Sequence, residues 1–166
     1  MRYRLRQKIW AIRDRFIIRS AFDEELYAVE GEFWTIGKKL TITDIQGRVL
    51  ARIEQKLITL RPTFFIYRDG APTVRVRRML WPIFKPRYEI EVPGQKAIVV
   101  RGSFWMYEFK FQRGRTLIGT VSKKVFSWAD SYCVDLREGE DQLLLLAATV
   151  IIDLCNCASA NSGSSG

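Results

Sequence analysis

The segment 143–155, Leu-Leu-Leu-Leu-Ala-Ala-Thr-Val-Ile-Ile-Asp-Leu-Cys, reads as a helix with no polar stripe. A helix that is apolar all round must be covered on every side, by protein or by lipid. Crossing a bilayer takes about 20 apolar residues. Asp153 interrupts this run, and no Lys or Arg follows it as an anchor. Burial inside protein is the reading that follows. The acidic run Glu138, Glu140 and Asp141 suits the helix N-terminus, where negative charge meets the dipole. A buried carboxylate requires a partner. For Asp153 we expect an Arg, a Lys or a backbone N–H at the helix end. A helix of about 13 residues is about 20 Å long. That matches the height of strands of about six or seven residues.

Ahead of the helix, runs of β-branched and alternating residues mark twelve strands, near 3–9, 15–20, 25–30, 38–43, 48–56, 63–68, 73–79, 87–92, 97–101, 105–112, 115–123 and 131–136. Turn signals separate them at Asp44 to Gly47, Asp69-Gly70, Pro93-Gly94 and Arg113-Gly114-Arg115. A repeat underlies the series. Polar or basic residues followed by an apolar stretch recur near positions 8, 32, 56, 78, 102 and 124, a spacing of 22 to 24 residues. That is the length of two strands and two turns. About eight strands close around their own side chains, whereas a larger barrel needs a filling. Twelve strands and one apolar helix satisfy each other. The predicted fold is mainly β: a closed antiparallel twelve-stranded barrel enclosing one C-terminal apolar α-helix. It forms one domain over 1–157, with 158–166 as a flexible Ser/Gly tail.

At 48% hydrophobic and 13% aromatic residues, the chain has ample material for a core and is too apolar for a disordered protein. The formal net charge of +9 attracts anionic partners without naming them. There is no histidine. That excludes Ser-His-Asp and Cys-His catalysis and removes the commonest metal ligand. The cysteines, Cys133, Cys155 and Cys157, have no metal-binding spacing and read as small apolar residues in a reducing compartment. The N-terminus lacks the apolar core of a signal peptide and reads as a strand from the start.

The chain resembles the LURP-one-related family, which has the tubby C-terminal-like fold and is related to the phospholipid scramblases. The matching residues are Tyr3-Arg4-Leu5-Arg6-Gln7-Lys8, Gly31-Glu32-Phe33-Trp34-Thr35-Ile36-Gly37-Lys38-Lys39-Leu40, Gln55-Lys56-Leu57-Ile58-Thr59-Leu60-Arg61-Pro62, Phe84-Lys85-Pro86, Ser122-Lys123-Lys124-Val125-Phe126-Ser127-Trp128 and the terminal helix. Their order and spacing, over 1 to about 155, make the resemblance specific. It implies a twelve-stranded barrel around a central helix, in agreement with the strand count. The tubby and scramblase relatives imply phosphoinositides and membranes, but the resemblance assigns this branch no activity.

Anion binding is the first functional expectation. In the strand 73–77, Val74 and Val76 share one face and Arg75 and Arg77 the other. Arg87, Glu89 and Glu91 share the outer face of the next strand, so cross-strand charge pairing competes with ligand binding there. Arg78, Lys85 and Arg87 flank Trp81 and Phe84, and Lys123 and Lys124 precede Phe126 and Trp128. Basic residues beside aromatic wedges suit a membrane interface. The competing reading has the aromatics capping the barrel. Lys56 and Arg61 are further candidates. Nucleic-acid binding is disfavoured, because no recognition motif is visible. Candidate carboxylate pairs (Asp130 with Asp135, and Glu138, Glu140 and Asp141) read as structural. The expectation is a monomeric, non-enzymatic module without cofactor or metal. It is cytoplasmic, peripheral at a membrane where it binds anionic phospholipid, or alternatively a protein-interaction scaffold.

Overall fold

The computed structural model describes residues 1–10, 13–32, 36–80, 85–103, 108–123 and 131–162. It contains the twelve strands that the alternation predicts: β1 (Arg2–Trp10), β2 (Arg13–Ser20), β3 (Glu25–Gly31), β4 (Lys39–Asp44), β5 (Val49–Gln55), β6 (Thr63–Tyr67), β7 (Val74–Met79), β8 (Arg87–Glu91), β9 (Ile98–Ser103), β10 (Glu108–Arg113), β11 (Thr116–Lys123) and β12 (Ser131–Leu136). One helix follows, α1 (Gln142–Ser162). Each strand pairs antiparallel with its sequence neighbours. β1 closes the sheet on β12 in the register Arg2↔Asp135 to Arg6↔Ser131. The barrel is a simple up-and-down meander.

The pleat explains the closure. Val74, Val76, Tyr88, Ile90, Ile98, Val100, Phe109 and Phe111 all face inward and are buried. Their neighbours Arg75, Glu89, Glu91, Arg101, Glu108 and Lys110 face out. A membrane-spanning barrel would carry the reverse pattern, with its apolar residues on the outer wall. Here the apolar lining meets the helix. Leu144, Leu145, Leu146, Ala147, Ala148, Val150, Ile151 and Ile152 are each at most 2% exposed, so no side of the rod faces water. Among the described residues, no helix is long and apolar enough to cross a membrane.

The two ends of the barrel can be told apart by the helix. At one end Asp141 caps α1: its Oδ1 accepts from Leu144 N at 3.0 Å, and its carbonyl accepts from Leu145 N. Arg68 reaches the same carboxylate at 2.6 and 2.8 Å, and Arg113 pairs with Glu140 at 2.7 Å. We call this the capped rim. The acidic run therefore acts as expected, through one cap and two ion pairs. Because successive strands alternate in direction, the β1–β2, β3–β4, β5–β6, β7–β8, β9–β10 and β11–β12 connections all lie at the opposite end, the loop rim. The 22- to 24-residue repeat is this geometry seen in sequence: each copy begins at the loop rim, descends, turns and returns.

The helix is longer than the sequence suggests. It runs for 21 residues to Ser162, beyond Cys155 and into positions 158–162 assigned to the tail. Nothing in 153–162 breaks a helix; the next glycine in the sequence is Gly163. Asp153 is tolerated because it is partnered. A partner not foreseen in the sequence is the Tyr132 hydroxyl, which donates to Asp153 Oδ1 at 2.5 Å. A phenol on the opposing wall gives a buried carboxylate a donor.

Candidate functional site

The connection between β5 and β6 shapes the outer wall at the loop rim. It is closed by Lys56 N donating to Thr63 O at 2.8 Å. The hydroxyls of Thr59 and Thr63 both donate to the Arg61 carbonyl, at 2.7 and 2.9 Å. These bonds fold the connection over the start of β6 and bury Thr63, although it has the outward phase. Below it β6 and β7 pair Thr63 with Arg77 and Phe65 with Arg75. The result is a groove of about 300 Å³ running from the rim down the wall, lined by Lys56, Thr59, Leu60, Arg61, Thr63, Phe65, Arg75 and Arg77.

Four of those eight lining residues are cations and none is a carboxylate. Two cations are engaged from outside the groove. Arg75 Nε donates to Glu91 Oε2 at 3.0 Å, and Arg77 Nη2 reaches Glu89 Oε2 at 3.4 Å as well as Glu91 Oε1. The cross-strand pairing that competed with ligand binding is therefore present. These groups are 29–44% exposed, so each pair contributes only about 0–1 kcal/mol. Lys56 and Arg61 form no ion pair among the described residues, and both are exposed.

The crest of the same connection is apolar. Ile58 is fully exposed, Leu60 is 93% exposed and Leu57 is 45% exposed. Ile58 has φ +53°, a left-handed backbone at a β-branched residue. Such a conformation costs on the order of 1–3 kcal/mol and calls for an explanation. Leu57 rests on the neighbouring β3–β4 connection, where a Cβ built on Gly37 would lie 2.7 Å from Leu57 Cδ2. That glycine has φ +90°. Ile36, next to it, is 84% exposed.

The remaining candidates scatter. Arg78 takes a half-buried position, and its Nη1 lies 3.5 Å from the Cys155 carbonyl of α1, inside the loop rim. Arg87 lies on the outer face beside Arg101, and Lys85 is exposed in the β7–β8 connection; neither lines the groove. Lys123 ends β11, but its side chain is outside the described residues. Trp81, Phe84, Lys124, Phe126, Trp128 and Asp130 also lie outside them. Asp135 pairs with Arg2, Glu140 with Arg113 and Asp141 with Arg68. Among the described residues, no group of His, Cys, Asp or Glu could hold a metal ion.

Inside the loop rim, Tyr88 donates to Asn156 Oδ1 at 3.0 Å, beside the Tyr132–Asp153 bond. Burial holds the Tyr88 hydroxyl well above its ordinary range, helped by neighbouring Cys155 and Asp153. Burial likewise pushes the Cys155 thiol up to about 12, against the opposing pull of Arg78. Cys155 is thus a protonated, inert thiol, as its reading as a small apolar residue requires.

The sequence reading brought Arg75, Arg77, Lys56 and Arg61 to the surface but not to one another. The missing signal was the register that sets Thr63 against Arg77. The apolar crest was missed because nothing in Leu57-Ile58-Thr59-Leu60, between the two expected strands, shows that the connection turns these side chains to water.

With the geometry in place, comparison with known proteins gives three findings. The family model described as LURP-one-related matches residues 1–153. The uncharacterised protein YxjI of Bacillus subtilis is 32% identical over 150 residues, covering 90% of each chain. An X-ray structure of an Arabidopsis thaliana protein superposes with a TM-score of 0.68 at 14% identity, covering 93% of this chain and 91% of that one. That last likeness is one of fold. The chain belongs to the LURP-one-related family.

Proposed function

We propose that this LURP-one-related barrel is a non-catalytic module that binds the surface of an anionic phospholipid membrane. The observation that carries the reading is the convergence of Lys56, Arg61, Arg75 and Arg77 on one groove with no carboxylate in its lining. Phosphate oxygens are the natural complement of such a site. Arg75 and Arg77 are held in place by Glu89 and Glu91, while Lys56 and Arg61 keep their charge for a ligand. The non-catalytic part rests on chemistry. The sequence has no histidine, and the two groove hydroxyls are spent on the Arg61 carbonyl. The carboxylates Asp135, Glu140 and Asp141 serve as caps and ion-pair partners.

The test is co-sedimentation with vesicles of phosphatidylcholine alone or with phosphatidylserine added, at low and moderate salt. Binding should require the anionic lipid and fall as salt rises. Lys56→Gln and Arg61→Gln should each weaken it by about fivefold, since a basic residue near such a surface contributes about 1 kcal/mol. Equal binding to both vesicles, or none to either, overturns the reading and favours a protein partner.

A further inference from the structure

The groove accounts for charge attraction but not for the apolar crest beside it. Ile58 and Leu60 stand at 103% and 93% exposure in a connection bounded by Lys56 and Arg61. Ile36, 84% exposed, lies in the adjoining connection, against which Leu57 packs. On the other side Arg61 Nη1 approaches Met79 Sδ at 4.0 Å, and Leu80 is 50% exposed. Three neighbouring connections at the loop rim thus present large apolar side chains to water, with cations at the base of the tallest. An isolated exposed leucine needs no explanation, but a cluster does. With Ile58 and Leu60 almost wholly exposed, the cluster suits a partner that can yield around it. A left-handed backbone at Ile58 lifts the side chain outward, where a relaxed turn would use Gly or Asn.

We infer that the barrel docks on the bilayer with its loop rim first. Leu57, Ile58 and Leu60 enter the boundary between headgroups and acyl chains, and Lys56 and Arg61 meet lipid phosphates around them. Interfacial elements divide their contacts in this way, with apolar residues below the headgroups and Lys or Arg at their level. The barrel axis then stands on the membrane, with the capped rim facing away. This inference rests on the membrane reading above and adds insertion and orientation to it.

The experiment uses the full chain with two double variants, Ile58→Ser/Leu60→Ser at the crest and Phe22→Ser/Ile45→Ser at the capped rim. All four side chains are exposed, so both variants should melt like the wild type. Two quantities are read: affinity for phosphatidylserine-containing vesicles, and the rise in surface pressure of a monolayer of the same lipids at fixed area. The crest variant should lose about tenfold or more in affinity and the pressure rise with it. The capped-rim variant should keep both. If wild type and crest variant bind alike and neither raises the pressure, the attachment is purely electrostatic; insertion falls and the membrane reading stands. Loss in the capped-rim variant instead reverses the orientation and overturns the inference. If the wild type does not bind at all, both readings fall. If the crest substitutions abolish self-association in lipid-free solution and change nothing at the monolayer, the crest's occupant is a second copy and the inference is wrong.

Discussion

At the capped rim Arg2, Arg19, Arg48, Arg68 and Arg113 each meet a carboxylate, and Asp141 holds the start of the helix. At the loop rim Lys56 and Arg61 meet none among the described residues. Both ends expose apolar side chains, but differently. At the capped rim Met1, Phe22, Ile45, Val49 and Leu117 come from four separate segments, with Phe22 and Ile45 beside Asp23 and Asp44 respectively. Leu57, Ile58 and Leu60 crowd one connection between two cations. The inner plugs differ too: a charged cap at one end, and at the other a set of buried phenols, an amide, a thiol and a carboxylate. The capped rim pairs those five arginines, although Lys96, Arg115 and Arg137 form no ion pair there among the described residues; what distinguishes the loop rim is that its unpaired Lys56 and Arg61 flank a groove and an apolar crest together.

The sharpest way to test that contrast is pH. At the loop rim the native thiol of Cys155 ionises only near 12, against 9.0 in an open chain, and Tyr88 also titrates late. Their folded pKa values are raised, so the stability they support is complete below pH 9 and lost as pH rises. For Cys155 the loss is about 1.4 kcal/mol per pH unit between 9 and 12. Denaturant midpoints against pH should be flat from 7 to 8.5 and then fall, and Cys155→Ala should remove about one pH-unit's worth of that fall by pH 10. An alkaline slope unchanged by the substitution would mean that the thiol is not enclosed.

Next in size are the helix ends. Tyr132→Phe removes the donor to buried Asp153 and should cost about 1–3 kcal/mol. Asp141→Ala removes an exposed cap and should cost about 1 kcal/mol. Urea denaturation of both variants orders the two ends; a costlier cap would put the helix's main anchorage at the capped rim.

The smallest effect is expected at Asp44. Burial pushes its carboxyl up, but hydrogen bonds from Arg48 and Gln46 and the Arg48 charge outweigh this and leave it below 3.8. A depressed pKa supports stability above the ordinary value and loses it as pH falls through the folded one. The difference in melting temperature between wild type and Asp44→Asn should therefore shrink below pH 4. A difference that persists in acid would assign the Asp44 effect to hydrogen bonding alone.

The architecture was legible in the sequence because a pleat leaves a mark at every second residue. Val74 and Val76 inward with Arg75 and Arg77 outward is enough to place a wall, and Asp69-Gly70 is enough to turn it. Element ends were less legible: β9 runs on to Ser103 rather than ending near 101. The helix end was misplaced because the small polar residues from 158 on read as tail, although none before Gly163 breaks a helix. The groove needed register and the crest needed one backbone angle. Local composition encodes neither.

The closure of β1 on β12 bears on how the molecule can be made. Met1 N donates to the carbonyl of Leu136, 135 positions away. At the pace of a ribosome the first strand waits about ten seconds or more for its partner, and α1, which fills the lumen, emerges later still. Until then every inward face is an apolar surface with nothing to cover it. Non-local pairing of this kind is slow even in a finished chain. Biogenesis therefore hinges on the delivery of β12 and α1, and a chain interrupted before Gln142 is expected to go to chaperones and proteases rather than to a smaller native state.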